Sequence, residues 1–249
     1  MKRLTVSQEG LKLIATVTML LDHIGATLVY SMYAAARTAG DAELANAVVP
    51  VYQALRIIGR IAFPIYCFLL VEGYHHTRDL KKYIGRLAIG MVLAEIPFDL
   101  AVSGCIDWTG SSVMVTLLLG VLMMVGMDCM KGWMKLLAIP PFYGIAEALG
   151  TDYAGHGILL IAMLALTRGV PKEKLWRSLG FAVLLWFGAT VTIGSVAIPM
   201  EMFALIGLIP MFLYEGKKHT RNKWVQWGFY LFYPVHLLVL WGLDRLIYG

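Results

Sequence analysis

In Met19-Leu20-Leu21-Asp22-His23-Ile24-Gly25-Ala26-Thr27-Leu28-Val29 an aspartate and a histidine stand side by side inside an otherwise apolar run. Histidine takes up and returns a proton near neutral pH, so His23 suits general base chemistry. Asp22 suits orientation or charge neutralisation. Neighbours on a helix diverge by about 100°, so the two side chains cannot meet one partner and must serve different ones. The alternative is a purely structural pair satisfied by neighbouring helices.

Arg56 and Arg60 are four residues apart and share one helical face. Two guanidinium groups on one apolar stripe need anions. The chain offers Asp22, Glu95 and Asp99, or the pair binds an anionic ligand, since Arg meets phosphate and carboxylate in a two-pronged fork. Pro97, between Glu95 and Asp99, is expected to free a carbonyl and kink its helix. His236 stands two residues after Pro234 in Phe232-Tyr233-Pro234-Val235-His236. It is either a second reacting histidine or a cap on a freed carbonyl. Asp152 and His156, again four apart, read as a hydrogen-bonded pair, because two ligands do not make a metal site.

The elements that must position these residues are apolar helices. Of the 249 residues, 59% are hydrophobic and 15% charged, against about 45–50% and about 25% in soluble domains; mean hydropathy is +0.71. Apolar stretches long enough for a bilayer core about 30 Å thick recur throughout. Nine are expected, at 11–33, 50–73, 83–103, 113–128, 133–150, 153–167, 176–194, 196–214 and 225–246. The first is too long for a cleavable signal and reads as a retained span. The expectation is therefore all-α: a polytopic integral membrane helical bundle of about nine transmembrane helices, forming a single domain over 1–249. Asp22 and His23 then lie roughly 17 Å along the first span, near the midplane. An ionisable group there costs about 2.5–3.5 kcal/mol and is expected to face the bundle interior.

Charge placement gives orientation. All Lys and Arg residues except Arg37, Arg56, Arg60 and Arg245 fall in the N-terminal segment or in alternate loops. This predicts the N-terminus in and the C-terminus out. The net charge of +5 is thereby explained as topology, and a nucleic-acid footprint is set aside. Cys67, Cys105 and Cys129 have no metal-ligand or redox spacing and read as packing residues. Glu72-Gly73-Tyr74-His75-His76-Thr77-Arg78 and Glu215-Gly216-Lys217-Lys218-His219-Thr220-Arg221 share E-G-x-x-H-T-R, either a distant repeat or a coincidence of basic loops. H-E-x-x-H, G-x-S-x-G and a Walker A loop are absent, which removes support for a metalloprotease, a serine hydrolase and an ATP-driven pump.

Four blocks carry a resemblance: "LKLIATVTMLLDHIGATL" (11–28), "LRIIGRIAFPIYCFLLVEGYHHTRDLKKYIGRL" (55–87), "AEIPFDL" (94–100) and "FYLFYPVHLLVL" (229–240). On these the chain resembles the TraX family, named for the membrane protein that acetylates the amino terminus of F-pilin. The blocks cover about a third of the chain, at its two ends; 113–214 matches mainly in hydropathy. TraX-like proteins in turn resemble the wider transmembrane acyltransferases, including the acyltransferase-3 and lysosomal heparan acetyltransferase families. Those use a histidine in an early helix and cytoplasmic acetyl-CoA.

The resemblance implies a multi-pass acetyltransferase in a bacterial plasma (inner) membrane. Its acetyl donor would be acetyl-CoA and its acceptor an amine or hydroxyl, such as a peptide N-terminus or a glycan. His23 would be the general base, with Asp22 and His236 beside it and Arg60 or Arg56 stabilising the oxyanion. The basic loop after residue 72 would meet the nucleotide phosphates through His75, His76, Arg78, Lys81, Lys82 and Arg86, with Glu72 and Arg56 also counted as cofactor contacts. No metal is expected. The competing reading is a proton- or anion-coupled transporter, for which buried ionisable residues and broken helices are typical. A non-enzymatic membrane scaffold would leave the buried charge unexplained.

Overall fold

The structure is a computed structural model that describes residues 5–107, 109–184, 190–193, 196–216 and 223–249. It is predominantly helical. Helix α1 (Gln8–Ile24) starts at Ser7, whose hydroxyl accepts the Gly10 N–H at 3.1 Å, with Glu9 favourably placed in the first turn. After Ile24 the helix widens into one π turn (Gly25–Val29) and continues as α2 (Tyr30–Thr38). π turns inside helices are frequent at functional sites, and this one follows Asp22 and His23 directly. Within it the Thr27 hydroxyl donates to the His23 carbonyl at 2.6 Å.

Helix α3 (Ala42–Gly59), capped by Asp41 through the Leu44 N–H, returns along α1. The chain breaks helix at Arg60 and Ile61 and resumes as α4 (Ala62–His76). Next come α5 (Leu80–Ser103), α6 (Val113–Asp128), a 3-10 segment (Gly132–Ala138), α7 (Ile139–Ala148), α8 (Ala154–Leu166) and α9 (Glu173–Leu184). Strands β1 (Thr190–Ile193) and β2 (Val196–Pro199) pair antiparallel, Thr190 opposite Pro199. A second 3-10 segment (Met200–Gly207), the short α10 (Leu208–Phe212) and α11 (Lys223–Tyr248) complete the chain.

Helix α4 is the hub. Ala62, Phe63, Ile65, Cys67, Phe68, Leu70 and Val71 are all buried, the all-round apolar burial of a helix enclosed by others. Ile158, Leu160, Ile161 and Leu164 bury α8 in the same core with Val121 and Met123 of α6. Small residues permit the close crossings, as in membrane bundles: a Cβ on Gly120 would overlap Ile161, and one on Gly157 would meet Thr116 and Phe63. The outside is apolar too. Leu13, Val17, Ile89, Val92, Leu93, Val235 and Val239 are exposed, a surface that suits lipid rather than water.

The expected spans translate unevenly. Among the described residues, Gln8–Thr38, Ala42–His76 and Trp227–Tyr248 are long and apolar enough to cross a membrane, and Val113–Asp128, Ala154–Leu166 and Met200–Phe212 are shorter apolar helices. The span read at 50–73 is two helices with Arg60 at the break between them. The spans read at 176–194 and 196–214 contain the paired β1 and β2, four residues each, within a chain that is otherwise all-α, as expected, among the described residues. Helix α5 runs through Pro97 without interruption. Cys67 is buried, whereas Cys105 and Cys129 are exposed and do not pack inside. The two E-G-x-x-H-T-R copies differ: Gly73 lies within α4, while Gly216 has φ +74°, and 217–221 fall outside the described residues.

Candidate functional site

The divergence expected of Asp22 and His23 is realised. His23 turns to α11, where its Nδ1 lies 2.7 Å from Nε2 of His236, with ring centroids 4.9 Å apart. His236 Nδ1 in turn lies 2.7 Å from the Phe232 carbonyl oxygen. A carbonyl oxygen only accepts, so His236 carries its proton on Nδ1 and, while neutral, presents a lone pair at Nε2. His23 must then donate through Nδ1, which leaves the lone pair of neutral His23 on Nε2. The two rings are locked into one proton order, with His23 Nε2 as the basic atom. Both histidines are buried, and the Phe232 ring stacks on His236 at 4.8 Å. The carbonyl bonded by His236 belongs to Phe232, whereas Pro234 leaves that of Tyr230 without its usual partner. His236 is therefore held by its own helix turn, independently of the proline.

Asp22 points about 100° away around the helix, into a network of four charges. Arg56 donates to Asp22 Oδ2 at 2.7 Å; Arg60 donates through Nη2 to Asp22 Oδ1 at 2.9 Å and through Nη1 to Glu201 Oε1 at 2.8 Å. Arg60 Nε also donates to the Arg56 carbonyl at 3.2 Å. Two arginines and two carboxylates balance, which is how buried charge is tolerated. Gly59 makes the network possible, since any Cβ there would overlap the Asp22 carboxylate. Gly25 allows α1 to approach α3, a Cβ there lying 3.0 Å from Cβ of Leu55.

Glu95 and Asp99, offered above as partners for the arginines, serve the α5–α6 loop instead. Glu95 accepts from the Ser112 hydroxyl and backbone N–H, and Asp99 accepts the Asp107 N–H at 3.1 Å. Glu201 was missed, although it carries the only charge in 196–214, the same signal that singled out Asp22.

Arg60 and Glu201 also line a cavity of about 530 Å³ whose other walls include Asp99, Asp107, Asp152 and Tyr153. One wall is strained: Tyr153 and Ala154 have φ of +65° and +42°, uncommon for residues with a side chain. Phe63 stacks on Tyr153 at 3.7 Å, and Thr116 donates to the Asp152 carbonyl at 2.6 Å, holding that turn. His156 lines the same cavity.

The basic end lies away from this cavity, beyond the length of α4, roughly 20 Å. His76, Arg78, Lys81 and Lys82 are exposed there. Lys82 pairs with Asp79 at 3.0 Å. The Lys82 backbone N–H, then its side chain, hold the Asp79 carboxyl below its usual range. Arg86 lies 5.8 Å over the Tyr83 ring, and its Nε is buried without a partner among the described residues. Two residues expected at the cofactor have protein partners. Glu72 is engaged by Arg168 at 2.9 Å and by His76, and Arg56 sits in the Asp22 network rather than near the loop.

No solved structure matches the chain. It is similar to a probable fimbrial assembly protein, FimC of serogroup H1, from Dichelobacter nodosus, at 31% identity over 258 residues covering 96% of each chain. The family described as "TraX protein" matches residues 7–244, nearly the whole length and well beyond the four blocks at the two ends. The chain belongs to the TraX family.

Proposed function

We propose that the chain is a multi-pass membrane acetyltransferase that moves the acetyl group of acetyl-CoA to an amine acceptor. The observation that carries this reading is the buried His23–His236 pair, whose hydrogen bonds order the protons so that a basic nitrogen is left on His23. In the proposed reaction the amine nitrogen attacks the thioester carbonyl while His23 Nε2 takes the proton it releases. Collapse of the tetrahedral adduct breaks the C–S bond, and the imidazolium returns the proton to the CoA thiolate. The products are an amide and CoA.

The basic end, facing the cytoplasm of a bacterium in this reading, would hold the nucleotide phosphates through Arg78, Lys82 and Arg86. The cavity at the other end would admit the acceptor, its carboxylates attracting a protonated amine, which sheds one proton to solvent before its nitrogen can attack. The fimbrial name of the Dichelobacter relative favours the amino terminus of a pilus or fimbrial subunit over a glycan. The transporter alternative loses ground because the central charges neutralise one another and call for no solute ion.

Acetyl-CoA should stabilise the purified protein thermally, since a ligand that binds only the folded state adds RT ln(1 + [L]/Kd), about 2.7 kcal/mol at a hundredfold excess over Kd. The shift should shrink with salt and with Arg78→Ala or Arg86→Ala. A folded protein unmoved by millimolar acetyl-CoA would contradict the proposal.

A further inference from the structure

Tyr233 lies three residues before His236 on α11 and is buried. Its ring stands edge-on to both imidazoles, with centroids 5.8 Å from His23 and 5.7 Å from His236, each at 70°. Its hydroxyl is buried and has no hydrogen-bond partner among the described residues. Three other tyrosines of the bundle spend theirs: Tyr66 on Thr16, Tyr74 on Asp128 and Tyr83 on the Leu70 carbonyl. Buried hydroxyls are nearly always paired because an unmade bond is costly. Phenylalanine would fill the same space without that cost. An unpartnered donor on a ring that packs against the candidate imidazole is what a site needs if its partner appears only during the reaction.

We infer that Tyr233 is a catalytic residue whose phenol donates a hydrogen bond to the oxyanion of the tetrahedral adduct. The inference rests on the acetyltransferase reading and moves the oxyanion role away from Arg60, which is committed to Asp22, Glu201 and the Arg56 carbonyl. As the new C–N bond forms, the carbonyl π pair moves onto oxygen and the Tyr233 O–H bonds to it; His23 takes the amine proton. When the C–S bond breaks, the pair returns and the phenol is released, its proton never having left its own oxygen. A donor placed for the adduct rather than for the planar thioester lowers the barrier without tightening ground-state binding.

The test is Tyr233→Phe, purified and assayed for acetyl transfer from acetyl-CoA to a short alanine-rich peptide amide with a free amino terminus. The expected kcat is lower by roughly tenfold to a hundredfold, the worth of one hydrogen bond to a charged oxygen. The KM for acetyl-CoA stays unchanged, and the thermal midpoint is equal or higher because an orphaned hydroxyl has been removed. A structural hydroxyl would behave differently, lowering the midpoint together with the rate. Retention of the wild-type rate, or a joint fall of rate and midpoint, overturns the inference while leaving the transferase reading intact. A wild-type protein that transfers nothing overturns both.

Discussion

On the proposed function, replacing His23 with alanine should lower acetyl transfer by about 10²–10⁴-fold, the usual contribution of a positioned general base, while the protein should still insert, purify and bind acetyl-CoA. The expectation follows from the proton order of the histidine pair. The Phe232 carbonyl fixes the His236 tautomer, His236 Nε2 then accepts from His23 Nδ1, and His23 Nε2 is left as the base. His236→Ala removes the group that orients His23 and holds its proton on Nδ1, so it should cost less than His23→Ala. His236→Gln, which can still present an acceptor oxygen, should recover part of that loss. The opposite ranking, with His236→Ala abolishing transfer and His23→Ala sparing it, would reverse the two roles.

The second large effect is on folding. Arg60→Met should destabilise the protein by about 3–5 kcal/mol, the range expected when one partner of a buried ion pair is removed. Arg60 is 8% exposed and holds Asp22, Glu201 and the Arg56 carbonyl together. It thereby ties α1, the end of α3 and the segment after the hairpin. Among the described residues, removing it leaves Glu201 without an ion partner and Asp22 with Arg56 alone. Pairing Arg60→Met with Glu201→Met should recover part of the loss, because the double change leaves one fewer uncompensated charge. Denaturant titration in detergent reads both. An Arg60→Met protein as stable as wild type would mean that the four charges are not a structural unit.

The candidate site was legible in the sequence where a physical cost made it so. An aspartate and a histidine in an apolar run demand partners, and their angular divergence on a helix demands two different ones. The structure supplies Arg56 and Arg60 for the first and His236 for the second. Glu201 carried the same signal, yet inside a stretch read as a plain span it was passed over. The break at Arg60–Ile61 is hidden when a span is read by its average hydropathy, although Gly59 before it and Pro64 after it are helix stop and start signals. The hairpin was visible in principle: Thr190-Val191-Thr192-Ile193 and Val196-Ala197-Ile198 are rich in β-branched residues around Gly194-Ser195, a strand-and-turn pattern. Spans were assigned by apolar length, which does not distinguish strand from helix. Tyr233 gave no sign at all, since only folding reveals that its hydroxyl is both buried and unpartnered.

The central claim is that acetyl leaves acetyl-CoA and reaches an amine on this protein. It is tested most directly with the purified chain in liposomes, acetyl-CoA labelled in the acetyl group and a peptide bearing a free amino terminus. The account predicts label on the peptide's terminal nitrogen, CoA released in equal amount, and both lost in His23→Ala. Intact acetyl-CoA and unlabelled peptide, with a folded protein and across peptides of varied terminal residue, would contradict it.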